Sequence, residues 1–555
     1  MINWIKKYWA ELLVFGAIFG VLLVCCTPDF TWINTDCDGI HYTYAAKYMV
    51  PAHKTSAPLF LLLGRLFLWL PFGTEAWRIA LISVLASMGS VTFIYLIIKN
   101  KLGEKGRLYA LIGSLVFGGS VLVISQSTII ESYALVTMFG LGAYYFAIKK
   151  NWLWCALMLG AGGAVHHLIG FPIIIFLIAF KDFRKWKYIG IMASFLLFYL
   201  YIPITTAINN PVNMWGNLTW ETFMNDNLTS GAMLIGGLSI WDLPKRIFDT
   251  IGVVGVSLGL AIIPIAWFVF TRNAKKVIKE PLFWLFILPI IYYATNLAPQ
   301  TYVYVMPAIG FGTVLAGICL AGMRPYWKWV VLTGAVGLLI FNANYFDIGR
   351  TLDPELSASK YYYEELDKVP DGGMLVAQQG WEWACVPMYN DENDRNIIPI
   401  CVGTLPSPFY QGWLKENGVK LTSYPDEPLA TKEILIARSI IEQNDDVWIT
   451  QRTDAKTYGA EIIPADASLI ELPTQEEVDE MIIGKWAWKP SNPYDIITGA
   501  IEVEEWVRVL LSNYSCLTFG MMGGSGAVVG WIGYMFIVKR KKWNFKRVIS
   551  RKAEA

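Results

Sequence analysis

The sequence predicts a polytopic α-helical membrane protein with about twelve transmembrane helices and an α/β soluble domain before the last of them. Hydrophobic residues make up 55% of the 555 residues and charged residues only 16%, which is more apolar side chain than a soluble core of this length buries. The apolar residues form runs long enough to cross about 30 Å of hydrocarbon. Only 13 of the 44 acidic residues lie in the first 346 positions, so the last third has a soluble composition.

Twelve apolar runs are predicted as spans from their hydropathy and length. They cover 8–26, 76–98, 108–127, 132–148, 152–166, 168–180, 187–207, 249–271, 282–297, 302–323, 328–345 and 515–538. The first run follows Lys6 and Lys7, as in a signal peptide, but the residue before Cys25 is Val24 rather than a small one. We therefore expect an uncleaved first helix.

The positive charges set the orientation of these spans. With a cytoplasmic N-terminus, every predicted inside segment contains lysine or arginine, as the positive-inside rule requires. These basic segments lie at 99–107, 149–150, 181–187, 272–279, 324–328 and 539–542. Both termini are therefore predicted to be cytoplasmic, in the cell membrane of a prokaryote or the endoplasmic reticulum of a eukaryote.

The predicted domains follow from this topology. A transmembrane module at 1–345 contains a long extracytoplasmic loop at 27–75, whose aromatic and small residues favour helices lying at the interface. An extracytoplasmic α/β domain follows at 346–511, and the last span with its basic tail occupies 512–555. In the α/β domain, Met374–Ala377 and Val447–Thr450 are predicted strands and Ala430–Gln443 a predicted helix.

Two features of the α/β domain stay open at this point. Cys385 and Cys401 can form a disulfide if the domain is extracytoplasmic. Four aromatic residues are candidates either for stacking on sugar or peptide or for the core. They are Trp381, Trp383, Tyr389 and Trp413.

The candidate functional residues collect on the extracytoplasmic face. The topology places all four histidines at outer ends of the first half, together with three acidic residues. These residues are His41, His53, His166, His167, Asp36, Asp38 and Glu131. An ionisable group that faces into the bundle at a membrane boundary costs free energy, so the cluster predicts a functional site. The alternative for each residue is a solvated interfacial position.

Two chemical roles are open for Asp36-Cys37-Asp38. One carboxylate can act as general base on an acceptor hydroxyl, or the pair can share a divalent cation with a phosphate. No Cys-x-x-Cys or His-x-x-x-His pattern supports a dedicated metal site, so no cofactor is certain and a divalent cation stays open. There is no phosphate-cradling glycine loop or Walker lysine, which argues against an ATP-driven pump. The net charge of +1 gives no field that would favour nucleic acid.

Several motifs resemble a large family of multipass membrane proteins that includes protein O-mannosyltransferases. The first-loop signature of that family is matched by Trp32, Asp38, His53 and the run Pro58–Phe67. Its later motifs are resembled, in the same order, by 76–83, 131–135, 162–167, 370–375 and 389–395. The sequence departs from the family at His41, where the family has Glu, and at 53–58, which lacks the paired prolines and glycine.

The resemblance implies a GT-C type glycosyltransferase with a lipid-linked sugar phosphate as donor. The catalytic acid of the family's first loop falls on Asp38, with Asp36 as the alternative. Glu131, His166 and His167 would line the same cavity. Substrate contacts are likewise expected from His41 and His53. The departures from the family at His41 and Lys54 fall where a donor or acceptor would be read.

The predicted function is therefore transfer of mannose or a similar hexose from polyprenyl or dolichyl phosphate to a protein or glycan acceptor. Arg65 and Arg78 lie on the outer side against the positive-inside trend and are candidates to face the phosphate. Inversion at the anomeric carbon is expected, because one acid is well placed and no second carboxylate is evident as nucleophile. A twelve-span transporter of a polar or lipid-linked substrate is the alternative, and a scaffold displaying the soluble domain is a third reading.

Overall fold

The structure is a computed structural model, and it describes residues 2–30, 38–52, 57–209, 243–271, 277, 279–295, 301–345, 358–377, 380–451 and 468–471. The chain divides into two compact units, Met1–Asp495 and Ile496–Ala555. All described residues lie in the first unit. The predicted last span at 515–538 lies outside them.

The membrane module is built from sixteen described α-helices. The first eight are α1 (Ile2–Val24), α2 (Asp38–Tyr48), α3 (Pro58–Phe67), α4 (Glu75–Leu102), α5 (Arg107–Gly118), α6 (Val121–Ser127), α7 (Tyr133–Ile148) and α8 (Trp152–Gly163). The others are α9 (Gly170–Ala179), α10 (Trp186–Ser194), α11 (Tyr201–Asn209), α12 (Leu243–Leu258), α13 (Ile262–Thr271), α14 (Pro281–Thr295), α15 (Met306–Leu320) and α16 (Trp327–Tyr345). Every predicted apolar run within the described residues is helical. The first loop contains the helices α2 and α3, while the position of such helices at the membrane interface stays a prediction.

Several of these helices are long and apolar enough to cross a membrane. Within the described residues five qualify, namely Lys6–Val24, Glu75–Leu102, Trp186–Thr205, Asp249–Thr271 and Tyr302–Leu320. The chain is thus a polytopic integral membrane protein. Other predicted spans are shorter as helices, and α9 with 10 residues extends only about 15 Å. The number twelve stays a prediction.

Helices α5 and α6 form a broken pair with a bend of 63°. The bend falls at Gly119 and Ser120, between the two helices, where α16 approaches the backbone of Gly119 closely. A Cβ atom on Gly119 would lie 2.9 Å from the backbone nitrogen of Leu339 in α16. Asn342 of α16 donates a hydrogen bond of 2.7 Å to the Gly119 carbonyl, which satisfies a carbonyl that the break leaves without a helical partner. The bend directs α6 and the chain after it toward α4.

The α/β domain contains the four described strands β1 (Met374–Ala377), β2 (Ile398–Cys401), β3 (Val447–Gln451) and β4 (Ser468–Glu471). They form a parallel sheet in the order β2-β1-β3-β4, with Met374 paired to both Ile398 and Val447. The helices are α17 (Ala358–Leu366), α18 (Gly380–Asn393), α19 (Pro408–Glu416) and α20 (Leu429–Gln443). The predicted strands at 374–377 and 447–450 and the predicted helix at 430–443 are confirmed.

The aromatic candidates of this domain belong to its core where they are described. Trp383 and Tyr389 are each 1% exposed, and Trp413 packs against the buried cluster beneath the sheet. The side chain of Trp381 lies outside the described residues. Cys385 and Cys401 are both buried, and no disulfide joins them.

Helix α2 connects the membrane module to the α/β domain. On one side, a Cβ on Gly64 of α3 would lie 3.0 Å from Ala46, so the two helices are in close contact. On the other side, the Tyr44 ring meets Trp383 of α18 edge-on at 5.3 Å. The Tyr48 hydroxyl donates to the Asp391 carboxylate of α18. The position of α2 therefore depends on both neighbours.

Replacing Gly119→Ala should destabilise the protein by about 1–3 kcal/mol, because the added methyl group meets backbone atoms of α16 and α5 that cannot rotate away. Gly190→Ala in α10 is the matched control, since an added Cβ there meets nothing within 4 Å and alanine favours helix. Thermal unfolding of the purified variants measures both. Equal stability of the two variants would contradict the close approach at the bend.

The contact between Tyr48 and Asp391 should appear as coupling in a double-mutant cycle. Tyr48→Phe and Asp391→Ala together should lose less stability than the sum of the single losses, by about 0.5–1 kcal/mol, because either change alone breaks the same hydrogen bond. Tyr48→Phe combined with Asp426→Ala serves as the control pair and should be additive. Additivity in both pairs would show that α2 and α18 are not joined in this way.

Candidate active site

Asp38 is the first residue of α2 and is half-buried. Its position follows from the close approach of α2 to the segment after α6, since a Cβ on Gly39 would lie 3.3 Å from the Cβ of Ile130. Larger side chains at position 39 would push α2 away from this segment. The glycine thus lets the Asp38 carboxyl lie next to the membrane module.

Two effects act on the Asp38 carboxyl. Burial raises its pKa, and the charge of His41, one turn further along α2, lowers it. The helix dipole also favours a carboxylate in the first turn. A carboxylate with a raised pKa, close to a protonatable imidazole, is suited to accept a proton from a bound hydroxyl.

Glu131 is the second acid of the site and is 7% exposed. The Ser83 hydroxyl of α4 donates to the Glu131 carbonyl at 2.9 Å, and the Ser132 amide donates to the Glu131 carboxylate at 3.3 Å. One turn along α4, Ser87 and Ser127 bond through their hydroxyls at 2.5 Å. These bonds hold the chain between α6 and α7 against α4.

Three tyrosine side chains lie near both carboxylates. Tyr42 interacts electrostatically with both Asp38 and Glu131, and burial together with these charges raises the pKa of its hydroxyl. The hydroxyl therefore stays protonated and can donate. Tyr133 and Tyr304 also interact with both acids. Asp38 and Glu131 thus belong to one polar site.

Aromatic and imidazole rings extend this site away from α2. The ring centroids of Tyr133 and His166 are 5.2 Å apart, and those of His166 and His167 are 4.2 Å apart. Tyr304 lies 5.7 Å from His166 and stacks on Tyr292 at 5.8 Å. We call Tyr133, His166, His167, Tyr292 and Tyr304 the ring cluster.

The hydrogen bonds of the two histidines orient their nitrogens. Nδ1 of His166 accepts from the Leu168 amide at 3.2 Å, so a neutral His166 carries its proton on Nε2. Nε2 of His167 lies 3.2 Å from the Tyr292 hydroxyl. The pair is thereby held at the end of α8, as part of the ring cluster.

Arg65 and Arg78, the two arginines predicted to face the phosphate, lie outside the site of Asp38 and Glu131. Arg65 donates to the Lys47 carbonyl at 2.6 Å, and Lys47 is about 13 Å from Asp38 along the axis of α2. Arg78 donates to the Leu68 and Leu70 carbonyls. It also lines a cavity of about 500 Å³ with the carboxylates of Asp29, Glu75, Glu364, Asp367 and Glu392. That cavity would repel a phosphate, so neither arginine is part of the site we describe.

The structure brings together most of the predicted residues that it describes. Asp38, His41 and Glu131 lie in one site, and His166 and His167 are joined to it through Tyr133. Asp36 and His53 lie outside the described residues. Tyr292 and Tyr304 were not predicted, because a tyrosine near the end of an apolar run is also typical of an interfacial anchor.

A metal site is not evident in the described part of the chain. No group of three or more His, Cys, Asp or Glu side chains there is arranged to hold a metal ion. Because Asp36 and His53 lie outside the described residues, the divalent cation stays a prediction.

Comparison with known proteins gives one family match in sequence. Residues 38–187 match the model of the protein O-mannosyl-transferase TMEM260 N-terminal domain. This segment contains every described residue of the predicted site. A search of the curated proteins finds no match.

Comparison with solved structures gives distant likenesses. The apo structure of ArnT from Cupriavidus metallidurans is 11% identical, with a TM-score of 0.46, and the match covers 72% of this chain and 89% of ArnT. The archaeal oligosaccharyltransferase AglB from Archaeoglobus fulgidus, in complex with an inhibitory peptide and a dolichol-phosphate, is 10% identical. Its TM-score is 0.46, and the match covers 79% of this chain and 72% of AglB.

The family match overlaps four of the motifs. The motifs at 76–83, 131–135 and 162–167 and most of the first-loop motif lie within residues 38–187, and the structure brings Asp38, Glu131 and His166 of this segment into one site. Residues 38–187 of this chain therefore resemble the N-terminal domain of a protein O-mannosyltransferase, which confirms the resemblance predicted from the motifs.

Proposed function

We propose that the chain is a GT-C type membrane glycosyltransferase that moves a hexose, mannose or a similar sugar, from a polyprenyl or dolichyl phosphate to a hydroxyl group of an extracytoplasmic acceptor. One observation carries the proposal. Asp38, half-buried at the start of α2, shares a site with Glu131 and protonated tyrosines in a segment that matches a protein O-mannosyltransferase family model.

The proposed reaction is a single displacement. The acceptor oxygen forms a bond to the anomeric carbon while the bond from that carbon to the phosphate oxygen breaks. The lipid phosphate leaves with the electron pair, and Asp38 accepts the proton of the acceptor hydroxyl. Since a lipid phosphate is a good leaving group, the enzyme chiefly supplies a base and orientation. Inversion at the anomeric carbon follows.

Glu131 has a supporting role in this scheme. Its carboxylate is fixed by the Ser132 amide, and its backbone by Ser83. Such a fixed carboxylate is suited to accept hydrogen bonds from sugar hydroxyls rather than to attack the sugar. We therefore place Glu131 in donor binding and keep Asp38 as the base.

An apolar groove is available for the lipid chain of the donor. It has a volume of about 560 Å³ and is lined by Met49, Leu62, Leu197 and Ile204 among others. Leu197 and Ile204 are 64% and 52% exposed and lie in the predicted span 187–207. The groove begins at the C-terminal end of α2, about 16 Å from Asp38, which a few isoprene units can span. We propose that the polyprenyl tail lies here.

The α/β domain is proposed to shape the approach of the acceptor. Helix α18 packs on α2 through Tyr44 and Tyr48, so the domain lies beside the helix that begins with Asp38. The proposed acceptor is a protein serine or threonine hydroxyl, as the family resemblance suggests, or a glycan hydroxyl.

Asp38→Asn should lower sugar transfer by roughly 100-fold or more, because an amide cannot take the proton of the acceptor. Transfer is measured with purified protein, radiolabelled polyprenyl-phosphate mannose and acceptor peptides. Asp426→Asn, at an exposed position of the α/β domain, is the matched control and should keep full activity.

Two outcomes of that experiment would contradict the assignment. If Asp38→Asn keeps activity while Asp36→Asn loses it, the base is the other acid of the loop. If neither variant affects transfer, or if wild-type protein transfers no sugar from any polyprenyl phosphate, the proposed mechanism is wrong.

The pH profile gives a second test. Since burial raises the pKa of Asp38, the acid limb of kcat/KM should lie above the ordinary aspartate value of about 4, and activity should fall as Asp38 is protonated below it. The charge of His41 lowers this pKa, so His41→Gln should move the acid limb to higher pH. Glu131 and the neighbouring tyrosines stay in place in both proteins.

Lys415→Gln is the control for this profile, because it removes a positive charge from an exposed position in α19. Its acid limb should match that of the wild type. An acid limb that stays in place or moves to lower pH in His41→Gln would show that the limb does not report Asp38.

A further inference from the structure

The proposed base Asp38 and the lipid groove do not account for the five rings of the ring cluster. It gathers five rings from α7, from the turn after α8, from α14 and from the turn before α15. Tyr133, His166, Tyr292 and Tyr304 are half-buried, and His167 is exposed. By contrast Tyr293, the neighbour of Tyr292 in α14, is 1% exposed. The cluster therefore presents accessible ring surface, whereas Tyr293 belongs to the core.

We propose that the ring cluster is the surface that holds the sugar ring of the donor, an inference that rests on the proposed function. Tyr133 begins α7 two residues after Glu131 and joins the other rings of the cluster through His166. Tyr133 and Tyr304 also lie close enough to Asp38 and Glu131 to be affected by their charges, so the cluster adjoins the proposed base. The residues involved in stacking would be Tyr304, Tyr292 and His166.

The chemistry of the cluster fits a hexose. A pyranose has apolar C–H faces and a polar rim of hydroxyls, and aromatic rings bind such faces while their polar groups orient the rim. Tyrosine hydroxyls can donate or accept hydrogen bonds, and neutral imidazoles offer one donor and one acceptor. Nδ1 of His166 is occupied by the Leu168 amide, which leaves Nε2–H as the donor of the neutral ring.

The other parts of the donor fit the cluster less well. A phosphate is typically bound by arginine or lysine, and the cluster contains neither. A polyprenyl chain requires an apolar lining, which the groove at Leu62 and Leu197 supplies. The sugar is the remaining part of the donor, and it is the part that must lie next to Asp38.

The test compares two lipids, polyprenyl phosphate and polyprenyl-phosphate mannose, in binding to purified protein without acceptor. Tyr304→Ala should raise the Kd of the mannosylated lipid about tenfold and leave the Kd of the bare lipid phosphate unchanged. Tyr304→Phe keeps the ring and should retain most of the preference. Tyr326→Ala, at an exposed position in the turn before α16, is the control and should change neither Kd.

A second variant covers the case in which Tyr304→Ala does not fold. Tyr292→Leu keeps apolar volume but removes the stacked ring, and it should also raise the Kd of the mannosylated lipid alone. The inference is overturned if folded variants keep the wild-type preference, or if both lipids lose affinity equally. A wild-type protein that does not distinguish the two lipids overturns the proposed donor together with this inference.

Discussion

The packing of α2 between the membrane module and the α/β domain determines where Asp38 lies. Gly39 allows α2 to approach Ile130 closely, and Gly64 of α3 allows contact with Ala46. On the opposite side α18 contacts α2 through Tyr48. An acid in a loop would sample many positions, whereas this packing holds Asp38 in the site that Tyr42 shares with Glu131. The proposed mechanism depends on this placement, because a general base must lie within hydrogen-bond reach of the acceptor hydroxyl.

The distribution of polar groups suits an enzyme with its site at one face. Neighbouring aromatic rings link Asp38 and Glu131 to the ring cluster. The bend between α5 and α6 directs the chain that follows α6 toward this site. The apolar groove at Leu62 is separate and has little polar surface. This separation allows one part of the molecule to hold the lipid while another holds the sugar. A transporter would instead be expected to have its polar groups along a path near the middle of the membrane.

Much of the architecture could be predicted from the sequence, because apolar runs and short β-branched strands are local signals. The strand at Val447–Gln451 is one example, with three β-branched residues in five. Contacts between distant segments were not predictable: Arg78 looked like a phosphate ligand from its position outside the membrane, yet it bonds to the carbonyls of its own loop. Tyr304 looked like part of an apolar span. Its proximity to Asp38 depends on how α2 packs. The apolar periodicity of a single segment contains no information about that packing.

The position of the donor can be determined directly in a structure with a non-cleavable analogue, in which the bridging phosphate oxygen of polyprenyl-phosphate mannose is replaced by a methylene group. We expect its anomeric carbon to face the Asp38 carboxylate, its sugar to contact Tyr304 and His166, and its lipid to leave toward Leu197. A donor bound away from α2, with Asp38 remote from the anomeric carbon, would contradict the assignment of this site.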